Sequence, residues 1–251
     1  MRYFKAITRI ILVVSVLTIV IVAMVKIPQR RCETIQVKAH TLNESVLLTQ
    51  SDVEQMLAEK EISIIGKKIK DVDLTKVAEL LERNPFIEKV NFIHFSGKRL
   101  LIDYDLRHIV MHVFDKAGGQ YFVDESGVLV PFSTKMTDGL MIVNGNISQT
   151  YKAGTTASKE LQQVLNVVHE ILADEFYTAQ FRQIYLNDQH QMELVSTIGN
   201  QVILFGSDKN AGEKLDNLKV VYRDGLSRKG YNTYACLDAR YKNRIIAKRK
   251  Q

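Results

Sequence analysis

Apolar and polar positions divide this chain into three stretches of different rhythm. The first is a run from Ile10 to Val25, "IILVVSVLTIVIVAMV", with no charged residue. As a helix it spans about 24 Å, slightly short of a hydrocarbon core of about 30 Å. Phe4, Ala6, Ile7 and Ile27 can extend it, with Arg9 and Lys26 reaching to the headgroups. The pattern predicts a transmembrane helix over 10–27 behind a head, 1–9, too short to fold. A cleaved signal peptide would share the basic start, but the run is long for one and no small-residue cleavage site follows. Arg2, Lys5 and Arg9 precede the run, and Lys26, Arg30 and Arg31 follow it. The charges therefore leave the orientation open.

The second stretch, 32–107, mixes the two periodicities. "ETIQVKAHTL" alternates and predicts a strand. "TQSDVEQMLAEKE" carries Val53, Met56 and Leu57 at helical spacing behind Thr49 or Ser51 as cap. "VDLTKVAELLERNPF" predicts a second helix, capped by Asp73, striped by Leu74, Val77, Leu80 and Leu81, and stopped by Pro85. "IEKVNFIHFSGKRLLIDYDLR" reads as a hairpin turning at Ser96–Gly97. The order strand, helix, helix, strand, strand makes a complete small α+β unit.

From His108 to Gln251 strands dominate. "HIVMHVFD" and "QYFVDESG" flank Gly118–Gly119, and "GVLVPF" follows Gly127. "GLMIVNGN" is a strand, and "SKELQQVLNVVHEILADEF" is a helix capped by Ser158. Three more strands, "AQFRQIYLND", "QMELVSTI" and "NQVILFGS", precede a helix with Leu215, Leu218 and Val221 inward. The closing stretch alternates from Ala235: Ala235, Leu237, Ala239, Tyr241, Ile245 and Ala247 fall on one side, and Asp238, Arg240, Lys242, Arg244 and Lys248 on the other. Only Asn243 and Ile246 break the pattern. It predicts a single strand from Ala235 to Ile246 with Tyr241 on the apolar face. If that strand lies at a sheet edge, its open backbone must be paired or shielded.

Charge and composition remove several function classes. The chain has 251 residues and a net charge of +6. The six basic residues up to Arg31 supply all of that excess, because 28 Lys and Arg face 28 Asp and Glu over 32–251. A nucleic-acid binder would carry its basic excess on the folded part. Cys32 and Cys236 lie near opposite ends of the chain, without metal-type spacing, so neither a disulfide nor a metal site is expected.

No HExxH, GxSxG, GxGxxG or P-loop is present. His108 and His112 share a strand face, but a metal site would need a third ligand nearby. Ser126 follows Asp124 and Glu125 in ordinary turn chemistry, with no base placed beside it. Asp103 and Asp105 share a strand face and read as solvated. No catalytic residue, cofactor or metal is expected.

Several motifs together resemble the FtsQ/DivIB bacterial cell-division proteins. "LLERNPFIEKVNF" is similar to a helix-to-strand junction of that family's POTRA domain. "YFVDESGVLVPF" is similar to the start of its β domain. "VILFG", "EKLDNLKVV" and "LDARYKN" are similar to its end, with Asp238, Arg240 and Tyr241 as an Asp-x-Arg-Tyr pattern. The short head is closer to the FtsQ branch. The resemblance implies an α+β protein with one N-terminal transmembrane helix, a POTRA domain over 32–107 and a strand-rich β domain with flanking helices over 108–251. It further implies a non-enzymatic scaffold in the inner membrane at the septum, with its bulk periplasmic, binding FtsB-like and FtsL-like proteins. The family adds a partner strand to its last strand, which here points to Leu237, Asp238, Arg240, Tyr241, Asn243 and Ile245. A POTRA-bearing translocation component would share the small unit but needs a membrane β-barrel. A membrane-anchored hydrolase is the reading from a third class.

Overall fold

The computed structural model describes residues 11–22, 30–41, 47–136 and 139–250. Residues 11–22 are helical and exposed. No helix among the described residues is long and apolar enough to cross a membrane. Ile10 and Val25, the bounds of the predicted apolar run, lie outside the described residues. The rest divides into two compact units, one built on residues up to His40 and Leu48–Leu106, the other on Arg107 onward.

In the first unit, strand β1 (Thr34–His40) is followed by helices α1 (Gln50–Glu59) and α2 (Leu74–Glu82), then strands β2 (Ile87–Ser96) and β3 (Arg99–Leu106). The sheet order is β1-β3-β2, with β1 parallel to β3 and β2 antiparallel to it. Thr49 and Asp52 form a reciprocal capping box on α1, and Asp73 Oδ1 accepts from the Thr75 and Lys76 amides at the start of α2. Val53, Leu57, Val77 and Leu81 from the helices close on Ile87, Leu100, Ile102 and Tyr104 from the strands. Burial pushes the Tyr104 phenol up to about 12. Strand β2 carries two register shifts, and the second leaves Asn91 unopposed between Val90 and Phe92.

The second unit is a nine-stranded sheet in the order β12-β11-β10-β9-β8-β7-β4-β5-β6. Its strands are β4 (Ile109–Phe114), β5 (Gln120–Asp124), β6 (Leu129–Pro131), β7 (Met141–Gly145), β8 (Phe181–Leu186), β9 (Met192–Ser196), β10 (Val202–Gly206), β11 (Tyr234–Asp238) and β12 (Ile246–Arg249). Helices α3 (Lys159–Leu172) and α4 (Glu175–Gln180) lead into β8. Helix α5 (Ala211–Val220), continued as a wider π turn over Val221–Leu226, leads from β10 to β11. Leu161, Val164, Leu165, Val168, Ile171, Leu215 and Leu218 pack against Met111, Val113, Tyr121, Val143, Ile184, Leu194, Ile203, Phe205 and Leu237 in one core. Val221, predicted inward, is only half-buried, while Tyr222 and Leu226 are fully buried. The sequence pattern missed α4: Asp174 caps it through the Phe176 amide, and Ala179 and Gln180 belong to it rather than to β8.

The strand predicted from Ala235 to Ile246 does not exist as one element. It is a hairpin: β11 and β12 pair antiparallel through Leu237↔Ala247 and Asp238↔Ile246. Residues 241–243 form the turn, with Asn243 at φ 56°. Asparagine tolerates the left-handed region, so it supplies the reversal. Tyr241 is therefore on the exposed loop, not on the apolar face. Asn243 offers no ladder donor, because it is in the turn.

Candidate functional site: the open edge of the large sheet

Strand β12 ends the sheet with β11 as its only neighbour among the described residues, and each of its residues is exposed. An edge of this kind presents unpaired backbone groups. Behind it, Leu237 is fully buried, Ala239 donates its N–H to Leu204 O at 2.9 Å, and Ile245 packs half-buried on the core. These contacts hold the hairpin on the sheet.

Asp238 and Arg240 lock the start of the loop. Arg240 Nη2 donates to Asp238 Oδ2 at 2.6 Å, Arg240 Nε to Oδ1 at 2.9 Å, and the Arg240 amide to Oδ1 at 3.1 Å. Arg240 Nη1 also reaches Gln191 Oε1 at 3.3 Å. The guanidinium holds the Asp238 carboxyl below the usual carboxylate range. Arg240 thus lies not free in solvent but in a forked pair. Arg244 sits 5.0 Å over the Tyr241 ring, a cation–π contact that fixes the exposed phenol.

Beside the loop lies a cavity of about 160 Å³, walled by Arg240, Tyr241, Lys242 and Asn243 on one side and by Lys209, Glu213 and Lys214 on the other. Lys214 donates to Phe205 O and Ser207 O at 3.0 and 2.8 Å, and burial pushes its ammonium pKa down. From Arg240 to Lys250 there are six basic residues and no acid. The arrangement can pair an extended chain along β12 and hold its acidic groups beside the loop. Sequence reasoning missed Lys209, Lys214 and Arg249, and placed Lys248 on the polar face without assigning it to the site. The breaks at Asn243 and Ile246 were the signal that would have moved the edge to Lys248 and Arg249.

The other candidates separate. His108 Nδ1 meets Glu125 Oε2 at 2.9 Å, while His112 Nε2 meets Gln120 Oε1 at 3.1 Å inside a ring cluster with Phe114, Phe122 and Phe132. They share no ligand. Ser126 Oγ donates to Asp124 Oδ1 at 2.7 Å, and Arg107 Nη1 pairs with Asp124 Oδ2 at 2.8 Å. That is a turn, without a base on the serine. Cys32 and Cys236 are both free thiols.

Asp103, predicted to be solvated, is buried. Asn91 Nδ2 donates to Asp103 Oδ1 at 2.9 Å and to Asp105 Oδ1 at 2.8 Å, and His40 Nε2 lies 3.2 Å from both Asp103 oxygens. The Asn91 bond, with smaller help from His40 and Lys38, holds the Asp103 carboxyl low against burial, which pushes it up. The bulge aims Asn91 at both carboxylates, a contact that alternation could not foresee. Ligand atoms of His40, Asp103 and Asp105 lie within 4.8 Å of one another and could hold a cation. Asn91, His40 and Lys38 already partner the buried carboxylate, so the group is complete as a hydrogen-bonded cluster.

Among the described residues a small α+β unit is followed by a wide sheet with an open, basic edge, an architecture of two modules. The sequence comparisons specify which. Residues 30–103 match a POTRA-like domain, and residues 109–248, more than half of the chain, match the family described as FtsQ/DivIB, C-terminal related. The chain belongs to the FtsQ/DivIB family. No curated protein matches it. The domains of this family are those of non-catalytic division proteins, and they give the chain a scaffold role in cell division.

Proposed function

We propose that this chain is a bitopic scaffold of the septum, anchored in the inner membrane by residues 10–27. Its POTRA domain, 32–107, and its β domain, 108–251, face the periplasm and act without catalysis. It links early to late division proteins by binding FtsB-like and FtsL-like partners. The partner adds a strand to β12, and the loop of Arg240, Tyr241 and Asn243 contacts its flank, while Leu237, Asp238 and Ile245 hold the hairpin in place. One observation carries this reading: β12 is a terminal strand with every residue exposed, beside a basic loop. The uncharged run and the family's character support the anchor.

Proline substitution along β12 tests the edge. Successive amides of a strand point in opposite directions, so Ala247→Pro and Lys248→Pro remove donors on opposite sides. One variant weakens the pairing with β11. The other keeps the fold and weakens partner capture by about 1 kcal/mol per lost backbone bond. Affinity is read with an FtsB-like periplasmic segment. Two folded variants that bind like the parent would sink the edge reading.

A further inference from the structure

We propose that the loop from Ile62 to Lys70 docks the POTRA-like unit onto the headgroups of an anionic lipid bilayer. The inference rests on the membrane anchor proposed above. The loop is tied to the first residues after that anchor. Gly66 N donates to Cys32 O at 2.7 Å, Cys32 N to Lys67 O at 2.9 Å, and Ile69 N to Arg30 O at 2.9 Å. Arg31 Nη1 adds a bond to Gly66 O at 2.6 Å. Loop and tether therefore form one surface.

That surface has the chemistry of a headgroup contact. Arg30, Arg31, Lys67, Lys68 and Lys70 contribute five positive charges, and no acid falls between Glu61 and Asp71. The neighbouring Glu33 pairs with Lys98 at 2.5 Å. Ile65, at the loop's tip beside Gly66, is 56% exposed. The cations lie on the tether side of the exposed Ile65, while Glu54 and Glu61 line the groove on its other side. A basic flank beside an exposed aliphatic side chain fits a lipid interface, where cations pair with phosphate and the side chain enters the acyl boundary. Reach agrees. Five residues carry the chain from Val25 to Arg30, at most about 17 Å when extended. The tether keeps the loop close to the surface on which a bilayer's negative potential acts.

The chain contains no tryptophan, so Ile65→Trp gives the full-length protein a single indole reporter at the loop tip. The protein is reconstituted into vesicles of phosphatidylcholine alone or with phosphatidylglycerol. Emission should shift to the blue, and brominated lipid should quench it, in the anionic vesicles. Adding Lys67→Glu and Lys70→Glu should return the emission to its water-exposed position. The milder pair Lys67→Gln and Lys70→Gln, the check if the reversal disturbs folding, should lower docking roughly twenty-five-fold, about fivefold per cation. Indole emission that ignores lipid charge, in a protein that floats with the vesicles, overturns the docking. A protein that fails to float overturns the anchor, and the docking with it.

Discussion

The nine-stranded sheet ends in two edges that solve one problem in opposite ways. At β6 the edge is covered. Leu129 N donates to Thr155 O at 2.9 Å, Val128 bridges Thr156, and Leu129 and Val130 are buried. Pro131 removes a donor at the end of the strand. At β12 nothing among the described residues covers the strand, and Lys248, Arg249 and Lys250 line it. One edge is closed by structure and the other guarded by charge alone. Covering an edge makes it part of the core, while guarding it with charge leaves it available to the right partner.

The largest expected difference is in stability. Leu129→Ala, at the covered edge, should cost about 3 kcal/mol, and Ile246→Ala, at the guarded edge, no more than about 0.5 kcal/mol. Urea unfolding of the two variants measures both, and similar losses would erase the distinction.

A smaller effect should come from pH. Arg240 depresses the folded pKa of Asp238, so the pair's contribution is complete above the unfolded carboxylate value, near pH 4. It is lost as pH falls through the lower folded value. Arg240 is partly exposed, which limits the pair to about 1 kcal/mol. Asp238→Asn should flatten the acid limb of stability by that amount. A limb that Asp238→Asn leaves unchanged would show that the clamp does not stabilise the fold.

The smallest change in folding stability should come from Lys248→Thr with Arg249→Thr, within about 0.5 kcal/mol. Its consequence is association. Without the charges, the open backbone should pair with a second copy, and sedimentation should become more concentration-dependent than in the parent. Charge is not the guard if sedimentation is unaltered.

The two regions also differ in how far they could be read from sequence. Helices α1, α2 and α3 announce themselves through caps and stripes, and Thr49, Asp73 and Ser158 are the caps in the structure. Local chemistry sets these elements, so a local pattern finds them. The C-terminal hairpin defeats the same logic, because both arms alternate and the turn between them has nearly the same phase. Tyr241 then looks like a core residue, although it stands on the loop. Only Asn243, at ease in the left-handed region, marks the reversal. Asp103 fails for another reason. Its burial comes from His40, Lys38 and Asn91 on two other strands, and no local period records what lies across a sheet.

Asn91 also determines how β2 can change its length. In a regular strand, removing one residue turns every later side chain to the opposite face. Asn91 has no residue opposite it, and from Phe92 to Ser96 the ladder resumes one step out of phase. A deletion at Asn91 would restore the earlier register and keep Ile93 and Phe95 directed at the helices. It would cost Asp103 and Asp105 their shared amide but would spare the core. Neighbouring Phe92 and Ile93 have no such freedom, so it is at its unopposed residues, Asn91 and likewise Glu88, that this strand can be shortened without turning inside out.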